Sequence, residues 1–192
     1  MEGDAFHKYN RKEMKKELEK RHSAGDATFS HFSFDANLLP ELENCFRSYS
    51  EQGTCRYRHY IHNSKEENLY GAKPGNFTKW KKFEEPSDLL FYEGLHGAVV
   101  NEEINLAKYA DLKIGVVPVI NLEWIQKIHR DTDSRGYSTE AVTDTILRRM
   151  HAYVHCICPQ FTETDINFQR VPVVDTSNPL VARWIPTADE SL

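Results

Sequence analysis

Three clusters of polar residues in this chain have the types and spacing to do chemistry. The first is Asp4, His7 and Arg11, within Glu-Gly-Asp-Ala-Phe-His-Lys-Tyr-Asn-Arg. An Asp just past a strand can take a proton from an attacking hydroxyl, while a nearby His and Arg grip an anionic substrate. The second is Glu93 with His96, where the apolar run Leu89 to Tyr92 stops and Gly94 and Gly97 let the chain turn. A carboxylate at that edge of an α/β sheet lies where ligands bind, and can hold the magnesium of a nucleotide. The third is Lys127, Arg130, Asp131 and Arg135. Three cations around one acid suit a multi-anionic ligand such as a polyphosphate or a sugar phosphate. Each cluster also has a plainer reading: turn chemistry, a core strand ending in a solvated Glu, and a solvated charged surface. Together they describe phosphoryl transfer, with an acid for magnesium, a base for the acceptor and cations to spread charge.

The elements that must position these clusters follow from periodicity. Leu89 to Tyr92 is the length of a strand buried on both faces. Ahead of it, Met1 to Phe6 reads as the tail of a strand. Asn10 and Glu13 make a capping box for a helix to about His22, with Met14 and Leu18 as a thin apolar face. Residues 25–35 read as a loop. A second helix runs from after Asp35 to Ser50, with Leu38, Leu42, Phe46 and Tyr49 on one face and Gly53 as its stop. Period-two alternation over Thr54 to His62, then Pro74-Gly75 and an extended Asn76 to Phe83, predict a small antiparallel excursion. Val99 to Ala110 is a helix or an irregular crossover. Leu112 to Ile120 is a strand, and Asn121 opens a helix with Leu122, Ile125 and Ile128 inward, ending in a charged loop from Lys127 to Gly136. Ser138 opens a long helix to about Cys158, with Val142, Ile146, Met150 and Val154 inward. Ile166 to Val174 is a strand broken at Pro172, and Asp175 to Leu192 is irregular. Alternating strands and helices after residue 88 predict an α/β, mostly parallel sheet flanked by helices.

Composition limits the function classes. At 192 residues the chain suits one domain, and a net charge of -5 without a basic face disfavours nucleic acid as a partner. No apolar run reaches the roughly 18 residues of a membrane span. Cys45, Cys55, Cys156 and Cys158 have no zinc-like spacing and read as reduced thiols, which places the protein in the cytoplasm. Asn76-Phe77-Thr78 is then a chance match to a glycosylation acceptor.

Longer strings carry a resemblance. Glu-Gly-Asp-x-Phe-His, Leu-Phe-Tyr-Glu-Gly-Leu-His-Gly, Ile-Asn-Leu-Glu-Trp-Ile-Gln-Lys and Asn-Phe-Gln-Arg-Val-Pro-x-Val-Asp-Thr-Ser-Asn-Pro strongly resemble phosphoribulokinase of the bacterial type, across essentially all of the chain. The resemblance implies a P-loop-kinase-like fold and transfer of phosphate from ATP, with Mg2+, to the C1 hydroxyl of D-ribulose 5-phosphate. It implies Asp4 as general base, Glu93 as magnesium ligand, and Asp131 as a second catalytic acid at the metal. Further, it implies His7, Arg11 and Arg135 as sugar-phosphate contacts, with Tyr60 and His62 reaching the same sugar. Lys127 and Arg130 become the cations of the ATP phosphates and the transition state, and the family implies a homo-oligomer. The rivals are another sugar or nucleoside kinase of uridine-kinase type and a non-catalytic remnant that associates with intact subunits.

One family feature is missing from the sequence. No pair of glycines has P-loop spacing followed by Lys or Ser/Thr, so the nucleotide-binding P-loop is absent from this chain. Residues 1–192 are therefore expected to be a partial domain, truncated at both ends, with impaired ATP binding and catalysis.

Overall fold

The computed structural model describes residues 1–83, 85–169, 174–175 and 183–184, with only the backbone described at 134–135 and in the last two pairs. Local chemistry starts the first helices. The Asn10 side chain accepts from the amides of Lys12 and Glu13, and the Glu13 carboxylate accepts from the Asn10 amide, closing the expected capping box on helix α1, Arg11–Ser23. Met14 and its neighbour Leu18 pack that helix on Phe29 and Ala36. Helix α2, Leu39–Gln52, buries Leu39, Leu42, Cys45 and Phe46 and ends on Gly53 at φ 67°, a left-handed stop that glycine adopts without strain. Its apolar face meets Ala5, Phe6, Cys55, Val99, Ile104 and Leu106 in the main core.

The expected antiparallel excursion is present but short. Strand β1, Arg56–Tyr57, pairs with β2, Lys81–Lys82, and a further antiparallel bridge joins Tyr60 to Phe77. Between them lies a helix that periodicity did not predict, α3, Ser64–Tyr70, capped by Asn63 and buried nowhere. A seven-residue helix that buries no side chain has no apolar stripe to read.

The parallel sheet centres on β3, Ile114–Val117, in register with β4, Ile166–Gln169. Residues 170–173, including Pro172, lie outside the described residues. Beyond them, β5, Val174–Asp175, pairs antiparallel with β6, Arg183–Trp184. Between β3 and β4 run α4, Ile120–Arg135, and α5, Thr139–Ala152, packed through Ile128, Val142, Ile146 and Trp124.

Three expectations are corrected. Leu89 to Tyr92 is not a strand buried on both faces: Leu89 is 79% and Phe91 72% exposed, and the segment holds one parallel bridge, Glu2 to Glu93. Lys127 to Arg135 is not a loop, because α4 continues to a left-handed Gly136 with no side-chain cap from Asn121 at its start. Burying Ile125 and Ile128 holds the charged turns helical. Val154 is exposed, because α5 passes into a π-helical turn, Tyr153–Ile157, whose extra residue rotates the apolar face onto Ala152 and Ile157. Among the described residues, no helix is long and apolar enough to cross a membrane.

Candidate functional site

The Asp4 turn is made by close backbone approach. The Gly3 amide donates to the Glu93 carbonyl at 2.6 Å, and the Glu93 amide donates to the Met1 carbonyl at 3.0 Å. A Cβ at Gly3 would lie 2.7 Å from the Gly94 Cα, so neither residue can carry a side chain. That bridge places Asp4, at the start of a 3-10 turn Gly3–Phe6, on the same side of the molecule as the end of the 89–93 segment.

Around Asp4 the structure assembles residues far apart in sequence. His7 Nε2 is 3.2 Å from Asp4 Oδ1, and His62 Nε2 is 3.5 Å from Asp4 Oδ2. Tyr60 sits edge-on to both imidazoles, with ring centres 6.2 Å from His7 and 4.9 Å from His62. Arg11 joins through its guanidinium, which donates to the His62 carbonyl at 3.3 Å. Five of the expected residues, Asp4, His7, Arg11, Tyr60 and His62, therefore converge. The His7 hydrogen bond, with the charges of His7 and His62 behind it, outweighs burial and holds the Asp4 carboxyl below its ordinary value. It stands deprotonated and half-exposed, ready to accept a proton.

Sequence reasoning missed three members of this site. Asn37 accepts from His7 Nδ1 at 2.8 Å. Arg58 donates to the Ala5 and His7 carbonyls, both at 2.7 Å. His31 lies edge-on to His7 at 5.8 Å. The only signal was an Arg in the alternating 54–62 stretch and an Asn ahead of α2, neither of which announces a distant partner.

Glu93 and His96 do not act together. The Glu93 carboxylate is exposed and has no hydrogen-bond or ion-pair partner among the described residues, whereas His96 is buried with Nε2 3.0 Å from the Phe32 carbonyl. An open, unengaged carboxylate fits a magnesium ligand, since that ion takes one or two carboxylates and keeps waters and phosphate oxygens.

The third cluster lies on α4. Lys127 Nζ donates to Asp131 Oδ2 at 2.5 Å, an i,i+4 pair, and Arg130 Nε donates to Asp131 Oδ1 at 3.0 Å. Burial raises the Asp131 carboxyl, but these two cations outweigh it and leave it below its ordinary value. Each Asp131 oxygen thus carries a cation, whereas the Glu93 carboxylate is open. Arg135 closes the same helix, and its side chain lies outside the described residues.

Comparison with known proteins gives this geometry a setting. A sequence model described as the phosphoribulokinase / uridine kinase family matches residues 1–177. Phosphoribulokinase 2 of Cereibacter sphaeroides is 71% identical over 192 residues, which are 100% of this chain and 66% of that protein. The phosphoribulokinase of Nitrobacter vulgaris is 65% identical over the same shares. Among solved structures, a phosphoribulokinase from Rhodobacter spheroides superimposes with a TM-score of 0.84 at 70% identity, covering 99% of this chain and 66% of its own. The chain thus spans 66% of the length of the curated relatives it matches. Its architecture is that of a P-loop kinase core, and the chain belongs to the phosphoribulokinase / uridine kinase family.

Proposed function

We propose that this chain carries the acceptor side of an ATP-dependent kinase that phosphorylates the C1 hydroxyl of D-ribulose 5-phosphate to ribulose 1,5-bisphosphate, the carbon dioxide acceptor of the Calvin cycle. The observation that carries this reading is the carboxylate of Asp4 flanked by His7 and His62, with Arg11 alongside. Asp4 takes the hydroxyl proton as the oxygen attacks the terminal phosphorus of ATP, and ADP leaves with the bridging oxygen. His7, His62 and Arg11 present positive or hydrogen-donating groups to the acceptor's phosphate, with Arg135 the remaining candidate. Lys127 and Arg130, aimed by Asp131, face the polyphosphate. Glu93 would hold Mg2+, which would neutralise charge on the nucleotide phosphates. Four cysteines without a disulfide support a reducing, cytoplasmic setting. Exposed apolar side chains such as Phe91 and Val116 support assembly into a homo-oligomer.

The test is a chimera in which this chain replaces its counterpart in the Cereibacter sphaeroides relative. Ribulose 5-phosphate should be phosphorylated and uridine should not. Asp4→Asn should cut kcat by about 10² to 10⁴-fold with little change in KM for the sugar phosphate. Equal turnover of uridine would favour the nucleoside-kinase alternative, and an Asp4→Asn chimera retaining most of its turnover would remove Asp4 as base.

A further inference from the structure

We propose that Asn37 is a positioning residue that holds His7 as a doubly protonated imidazolium, so that Asp4 and a fixed cation face the acceptor together. The inference rests on the reading of Asp4 as the base. It follows from which atoms can donate. Asn37 Nδ2 is 2.9 Å from the His31 carbonyl oxygen and 2.8 Å from that of Ser33. Carbonyls only accept, so this corner of the amide is the NH2 group. The other corner, Oδ1, lies 2.8 Å from His7 Nδ1 and can only accept, so Nδ1 carries a proton. On the far side of the ring, Nε2 faces a carboxylate oxygen of Asp4 at 3.2 Å. A neutral imidazole has one proton for these two acceptors, and either tautomer sets a lone pair against an oxygen. Only the protonated ring satisfies both.

The groups around His7 decide whether that charge survives. Burial works against it, and the Arg58 guanidinium opposes it, while the bonds to Asp4 and Asn37 and the Asp4 charge favour it and raise the group overall. His31 and His96 face the ring as neutral imidazoles, their protonation suppressed in turn by burial and by His7. His62 shares the other Asp4 oxygen, and Tyr60 offers only a ring edge. Asn37 is itself nine-tenths buried, and an antiparallel bridge ties its backbone to His7. Its amide orientation is thus set by the 31–33 loop, independently of substrate.

Nitrogen-15 NMR of the histidines in this chain tests the proposal without catalysis. The His7 ring should titrate above its ordinary 6.5, with a slowly exchanging Nδ1 proton. Asn37→Ala should lower the midpoint, changing the protonation equilibrium by about tenfold or more, as suits a hydrogen bond to a charged group. Asn37→Asp keeps an acceptor there, now charged, and should raise it. Shifts of the same sign in both variants would mean a merely structural role. A wild-type midpoint at or below 6.5, or a freely exchanging Nδ1 proton, would overturn the proposal even if no variant folds. In the chimera, Asn37→Ala should raise KM for ribulose 5-phosphate about tenfold at pH 8 and recover near pH 6, because His7 reprotonates while Asp4 stays ionised. A chimera inactive on every sugar phosphate would defeat the functional reading and leave the NMR result to decide the role of Asn37.

Discussion

The guanidinium of Arg58 lies 3.6 Å from the ring centre of Phe77, in stacking range, and 4.6 Å from that of Trp80. Held there, it donates to the carbonyls of Ala5 and His7 and ties the Asp4 turn to the antiparallel excursion that carries Tyr60 and His62. Burial lowers its own affinity for a proton to about 10, and Glu41 and Glu13 only partly compensate, so it remains charged at neutral pH. Arg58→Lys keeps a charge but loses the planar fork and the stack. It should cost about 1.5–3 kcal/mol in urea denaturation, the worth of hydrogen bonds to a charged group, and weaken sugar-phosphate binding. A loss within about 0.5 kcal/mol, the range of an ordinary surface change, would mean the tie is unimportant.

Gly94 tests the approach that sets Asp4 beside Glu93. A Cβ there would lie 2.6 Å from Tyr92 Oη and 2.7 Å from the Gly3 Cα, and backbone cannot swing aside as a long side chain can. Gly94→Ala should lower stability by about 1–3 kcal/mol, the usual cost of overpacking, and should open the Glu2–Glu93 bridge. An unchanged thermal midpoint, with the Gly3 amide still protected from exchange, would show that the two segments slide apart freely.

Acid should destabilise the protein well before the carboxylates titrate. His31 and His96 are both pushed down to about 4, mainly by burial. The folded state therefore resists a proton that the unfolded chain accepts near 6.5. Their contribution is complete above that value and is lost as pH falls toward 4, on the order of 3 kcal/mol each. The Asp4–His7 pair does not reverse this trend: the raised His7 contributes fully below 6.5 and loses its share as pH rises through its folded value, and the lowered Asp4 loses its share only below 3.8. His31 Nδ1 has no hydrogen-bond partner among the described residues, so His31→Phe should flatten the loss between pH 6.5 and 4 at little cost at pH 8. Urea midpoints across that range would check it, and an unchanged slope would exclude His31.

Exposed apolar side chains should govern solubility. Phe91 is 72%, Val116 65% and Phe168 60% exposed. Phe91→Ser with Phe168→Ser removes apolar surface from water and leaves little core behind. Light scattering of concentrated protein should fall markedly while the urea midpoint holds. Scattering that stays the same would place the association surface elsewhere.

Much of this molecule was legible where its causes are local. The capping box of Asn10 and Glu13, the apolar face of Leu42 and Phe46, the Gly53 stop and the Ser138 cap depend on residues within a few positions of one another. The family resemblance carried by the long motif strings likewise implied Asp4, His7, Arg11, Tyr60 and His62, which the fold brings together. Tertiary structure alone decided the rest. Leu89 to Tyr92 has the composition of a buried strand, yet burial and pairing depend on what lies beside a segment, and here Leu89 and Phe91 face solvent. Lys127 to Arg135 has the charge density of a loop, but Ile128 packed against Val142 and Ile146 keeps it helical, so Lys127 meets Asp131 one turn on. Asn37 and Arg58 gave no sign of their role because their partners, His7, Ala5 and Phe77, lie 19 to 53 residues away. A hydrogen bond across that distance exists only once burial of the core around Phe6 and Leu42 has fixed both ends.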